Sequence, residues 1–103
     1  MGVHKFVAVY DAPAEPEAFD AAYFGTHLPL LDRVPGLLRT EVSRVIRVVR
    51  GSQGLHLMAE MYFPDGDTLR SALRSQEWAA AGENLTSIGG LELATMYTVE
   101  VVG

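Results

Sequence analysis

The sequence predicts one α+β domain in the order β-α-β-β-α-β, with a four-stranded antiparallel sheet and two helices on one of its faces. Three observations carry this expectation. Four segments rich in valine, leucine and aromatic residues have the length of strands and lie between turn residues. Two intervening segments repeat apolar residues at three- and four-residue spacing. The chain has 103 residues, enough for one compact core and no more. Strand and helix order together are those of the split βαβ, ferredoxin-like arrangement.

The elements follow in order. "VHKFVAVYD" (3–11) is a short strand that stops at the turn residues Asp11-Ala12-Pro13. From Pro16, the residues Phe19, Tyr23, Thr26/His27, Leu30 and Val34 mark the inner face of a first helix, which Pro35-Gly36 ends. Pro29 interrupts it. Proline has no N–H, so the carbonyl of Gly25 lacks its helical partner and the turn holding His27 is expected to loosen. "LLRTEVSRVIRVV" (37–49) alternates and reads as a long second strand. "RGSQG" (50–54) is a turn, and "LHLMAEMYF" (55–63) is the third strand, antiparallel to the second. "PDGD" (64–67) stops it. "TLRSALRSQEWAAAGENLTSI" (68–88) is a second helix with Leu69, Leu73, Gln76 and Ala80 roughly on one side and a break near Ser75 or Gly82. "GG" (89–90) ends it, and "LELATMYTVEVV" (91–102) is the last strand.

The strands are apolar on both sides. In the first, Val3, Val7 and Val9 oppose Phe6, Ala8 and Tyr10; in the third, Leu55, Leu57, Met61 and Phe63 oppose Met58 and Tyr62. In the last, Leu93, Tyr97, Val99 and Val101 oppose Ala94, Met96 and Val102. Helices on one side cover one face only. The sequence therefore predicts a homodimer, in which a second copy covers the open face.

Composition narrows the partners. A net charge of -5 disfavours nucleic acids and anionic membranes. The absence of cysteine excludes disulfides, thiolate metal sites and a cysteine nucleophile. No apolar run approaches the roughly 20 residues that span a bilayer. "MGVHKFVAVYD" does not have the form of a signal peptide, and Phe6 breaks the myristoylation pattern, so the expected location is cytoplasmic. The "NLT" sequon at Asn84 is then a chance match.

The strand "KFVAVYD", the helix "PEAFDAAYFGTHLPLLDRVPGL" and the strand "RTEVSRV" together resemble the EthD family, within the dimeric α+β barrels. The most specific part is His27-Leu28-Pro29-Leu30 followed by Val34-Pro35-Gly36-Leu37. The resemblance implies a homodimer with its sheets face to face, its helices outside and a pocket in each subunit. The family is named for a role in degrading an alkyl ether, ethyl tert-butyl ether, beside an oxidising system. Its relatives include a muconolactone methylisomerase and polyketide-processing enzymes. Related barrel families contain cofactor-independent monooxygenases and haem-binding proteins. In the isomerase-like relatives a tyrosine is expected near the position of Thr40, and the short hydroxyl here argues against isomerase chemistry.

His27 is the leading candidate for a general acid/base, because an imidazole takes or gives a proton near neutrality. A packed, hydrogen-bonded structural histidine is the competing reading. Tyr23, Tyr10, Glu60, Tyr62 and Trp78 are the candidate substrate-binding residues. As alternatives, the tyrosines and Trp78 serve as core or interface, and Glu60 pairs with Arg39, Arg44 or Arg47. His4 and His56 are expected at the rim, with His56 close to Tyr10. The three histidines lack metal-ligand spacing, so no metal is assigned, and no cofactor is assigned either. The glycines of "GSQG" make no phosphate loop, because no helix start follows them. The resulting expectation is a cofactor-independent enzyme, using proton transfer or oxygenation on a small hydrophobic compound. A non-catalytic ligand-binding or accessory protein for a partner oxidase is the alternative, and a haem protein ligated by His27 is the third.

Overall fold

The computed structural model describes residues 2–103. Strand β1 (His4–Asp11) lies inside the sheet, between β3 (Leu55–Phe63) and the edge strand β4 (Ala94–Glu100). Strand β2 (Arg39–Arg44) is the other edge, so the order is β2-β3-β1-β4 with every neighbour antiparallel. The fold is thus the α+β ferredoxin-like one. Phe6, Ala8 and Tyr10 of β1 and Leu57, Ala59, Met61 and Phe63 of β3 point to one side and form the core with the helices. Residues of the other parity, among them Lys5, Val7, Val9, Met58, Glu60, Tyr62, Tyr97 and Val99, make the face that no helix covers.

The first helical segment is three pieces in one. Helix α1 (Pro16–Ala22) starts with proline at its first position, where no N–H is needed. A wide π-helical turn, Tyr23–His27, follows, and helix α2 (Leu28–Leu31) continues to the bend before Val34. In the wide turn the N–H of Leu28 donates to the carbonyl of Tyr23, five residues back. Pro29 lies one residue beyond. The loosening predicted at Pro29 occurs just upstream of it, where the chain widens instead of leaving the helix.

That widening sets which side chains face inward. In a regular α-helix each four-residue step overshoots a full turn by about 40°, so three steps would carry Leu31 about 120° away from Phe19. The wide turn takes up the drift. Phe19, Tyr23, His27 and Leu31 consequently form one unbroken inner stripe, and all four are buried.

Elsewhere several predicted elements are shorter or divided. The second strand ends at Arg44, not at 49, because β3 begins only at Leu55 and offers no further ladder beyond the bond from the Val45 N–H to the His56 carbonyl. Ile46 is 95% exposed as a result. The second helix begins at Gly66 and divides near Ser75, into α3 (Gly66–Ala72) and α4 (Gln76–Ser87). Asp65 and Ser75 cap the two pieces, accepting from the backbone N–H of Thr68 and Trp78. The chain is continuous through Gly82. The last segment opens with a 3₁₀ turn, Leu91–Leu93, before β4.

One predicted contact is corrected. Glu60 pairs with Lys5 at 2.9 Å and not with an arginine, because the strand register sets Glu41 directly opposite it on β2. His56 stands opposite the step from Tyr10 to Asp11, beside Tyr10 as expected, since Tyr10 pairs with Leu57 and Asp11 with Leu55. The register shifts at this step, and the His56 ring donates to Asp20 of α1 at 2.7 Å. Arg44 donates to the other oxygen of the same carboxylate at 3.0 Å, so this group ties the far end of the hairpin to α1.

Candidate active site

Between the sheet and the helices lies a half-enclosed cavity of about 150 Å³. Its floor is Phe6, Ala8 and Tyr10 on β1, with Met61 beside them. His27 and Leu31 of the inner stripe form one wall, and Trp78, Ala81, Gly82 and Leu85 of α4 form the other. Leu91 and Met96 complete it. An apolar cavity of about this size takes a single benzene-like ring.

His27 is only 3% exposed. Its Nδ1–H donates to the Asn84 Oδ1 of α4 at 3.2 Å, and Nε2 has no hydrogen-bond partner among the described residues. Tyr23 packs against it, with ring centres 5.1 Å apart, and helps fix the imidazole. Burial pushes the His27 pKa below its ordinary value of 6.5, and the Asn84 bond offsets this only in part. The ring is therefore neutral at pH 7, with its lone pair on Nε2.

Tyr10 contributes the second polar group. Tyr23 is fully buried and its hydroxyl donates to the Tyr10 hydroxyl at 3.3 Å. Tyr10 accepts this bond and keeps its own proton available. Burial raises the pKa of both phenols, so both remain neutral donors. The cavity lining thus includes one neutral imidazole and one neutral phenol in otherwise apolar surroundings.

Of the residues singled out from the sequence, His27, Tyr10 and Trp78 line the cavity, and Tyr23 braces the first two from behind. Glu60 and Tyr62 are corrected: they lie on the opposite face of the sheet and do not meet His27. Tyr62 donates to Glu41 at 2.8 Å, and the Arg39 guanidinium lies over its ring at 4.0 Å. Thr40 faces the helices, where its hydroxyl is buried without a partner among the described residues, and does not line the cavity. Sequence reasoning missed Asn84. It is 57 residues from His27, and only its place on α4 next to the cavity-lining Leu85 could have pointed to it. Among the described residues no group of three acidic or histidine side chains converges on a metal position, and no helix is long and apolar enough to cross a membrane.

Residues 11–85 match the EthD domain. The chain belongs to the EthD family. A solved EthD protein from Bacillus halodurans C-125 is 34% identical, with a TM-score of 0.89, and the match covers 97% of this chain and 99% of that one. More distant likenesses show the shared fold. A dimeric ferredoxin-like protein of unknown function from Jannaschia sp. CCS1 is 18% identical, with a TM-score of 0.73 and coverage of 97% and 100%. SnoaB, a cofactor-independent oxygenase from Streptomyces nogalater, is 18% identical, with a TM-score of 0.64 and coverage of 100% and 94%.

The depressed His27 pKa has a consequence for the stability of this EthD protein. Above pH 6.5 the ring is neutral in both folded and unfolded chains and contributes no pH dependence. As pH falls below 6.5 the unfolded chain takes up a proton before the folded one, so stability is lost down to the folded pKa. Urea unfolding across this range should show wild type losing more stability than His27→Gln. Parallel curves for the two proteins would contradict the buried neutral imidazole.

Proposed function

We propose that the cavity binds a small, mostly apolar compound by one ring-sized head group, and that His27 removes a proton from an acidic O–H or activated C–H of that group without a cofactor. The single observation that carries this reading is that His27, whose Nε2 has no partner among the described residues, and Tyr10 line one apolar cavity. The two roles are complementary. The proton moves to Nε2 of His27, while charge appearing on the substrate oxygen accepts a hydrogen bond from Tyr10. The bond from Tyr23 polarises the Tyr10 hydroxyl and strengthens it as a donor. Asn84 holds the resulting imidazolium through its carbonyl oxygen. Trp78 and Phe6, with ring centres 4.6 Å apart, enclose the head group on its apolar side. The likeness to a cofactor-independent oxygenase is consistent with a reaction that needs no cofactor.

One observation favours a second reading, ligand capture without turnover. An imidazole held below its ordinary pKa is a weaker base. Titration of 4-nitrophenol with the protein separates the two. A proton-accepting site should lower the pH at which the bound phenol ionises by about one unit, and His27→Phe and Tyr10→Phe should each abolish the shift. Binding with no shift supports a carrier, and no binding contradicts both readings.

We also infer that the protein works as a homodimer joined through its open sheet face. Val7, Val9, Met58, Tyr97 and Val99 give that face an apolar strip, and the Jannaschia neighbour is a dimer. Glu60 and Tyr62 would then be interface residues. Wild type should sediment as a dimer at micromolar concentration, and Val9→Lys, which buries an unpaired charge, should sediment as a folded monomer. A monomeric wild type would contradict the dimer.

A further inference from the structure

The cavity is closed at one end and open at the other. His27, Tyr10, Leu31 and Ala81 are buried at its inner end, whereas Met96 is 37% exposed and Leu91 52% exposed. Gly82 is the exposed lining residue of α4. The opening therefore lies between α4 and β4.

A glycine is unusual at this point. Gly82 sits in the interior of a twelve-residue helix, where alanine is the favoured small residue. Backbone conformation does not require it, since its φ is not positive. Close packing does not require it either, since a Cβ built there meets nothing within 4 Å. Gly36 and Gly90 differ, because a Cβ at those positions would strike the side chains of Thr68 and Leu85. What distinguishes Gly82 is its position on the cavity-lining stripe of Trp78, Ala81 and Leu85, at the solvent end.

We propose that Gly82 is the entrance of the cavity and determines which ligands it admits. A ring-sized head group occupies the inner end beside His27 and Tyr10, and the rest of a longer apolar molecule leaves between Gly82 and Met96. The ligand class is then a ring with an apolar tail. This rests on the reading of the cavity as a binding site.

Trp78, the only tryptophan, lines the cavity and reports directly on its contents. The experiment is titration of Trp78 fluorescence with phenol and with 4-hexylphenol, in wild type, Gly82→Ala and Gly82→Leu. Gly82→Ala should raise the melting temperature by about 4–8 °C, which would show that the helix itself does not require the glycine. Gly82→Leu should fold and lose about tenfold or more of its affinity for 4-hexylphenol, with a smaller change for phenol. A Gly82→Leu protein that binds 4-hexylphenol as tightly as wild type would overturn the entrance while leaving the binding site intact. A wild type that binds neither probe would overturn the binding-site reading itself, and the entrance with it.

Discussion

The wide turn at Tyr23–His27 is the constraint on which the site depends. Without it, the four-residue steps from Phe19 to Leu31 would rotate the later side chains off the sheet. With it, Tyr23 and His27 face β1 together, one bracing the other. Pro29 favours this arrangement because it gives the Gly25 carbonyl no N–H to bond, so a regular α-turn at that point would gain nothing there. The helix breaker and the ionisable ring occur side by side because the first helps to aim the second.

The same burial that holds His27 in place also sets its chemistry. In an apolar wall a charged imidazole is disfavoured, so the neutral form dominates and one nitrogen carries a lone pair. Asn84 decides which nitrogen that is. Its amide oxygen accepts from Nδ1 and leaves Nε2 for the cavity. Tyr23 acts on the other polar group in the same way, donating a hydrogen bond to the Tyr10 hydroxyl so that the Tyr10 O–H is left free to donate. Two residues on different elements, Asn84 on α4 and Tyr23 in the wide turn, thus hold the two polar side chains of the cavity lining.

The topology is legible in the sequence because each strand is bounded by turn residues and each helix by proline or glycine. Details that depend on pairing are not. "RVIRVV" at 44–49 alternates as a strand does, yet it has no partner of equal length across the hairpin. Glu60 reads as an arginine partner because Arg39, Arg44 and Arg47 crowd the neighbouring strand, but register puts Glu41 opposite and Lys5 within reach. Glu60 and Tyr62 read as pocket residues because both sides of β3 are apolar, and periodicity alone does not say which side the helices cover. His27 is identifiable, since an ionisable residue on an apolar helical stripe stands out. Asn84 is not, since nothing in a single sequence joins two residues 57 apart.

The central claim is that His27 presents an unprotonated Nε2 to the cavity while Nδ1–H is held by Asn84. Nitrogen NMR of the imidazole at pH 7 tests this directly, because protonated and unprotonated ring nitrogens resonate far apart. The expected result is a neutral His27 with its proton on Nδ1 and a lone pair on Nε2, and a shift of the Nε2 signal when a phenol is added. A His27 that carries its proton on Nε2, or that is doubly protonated at this pH, would contradict it.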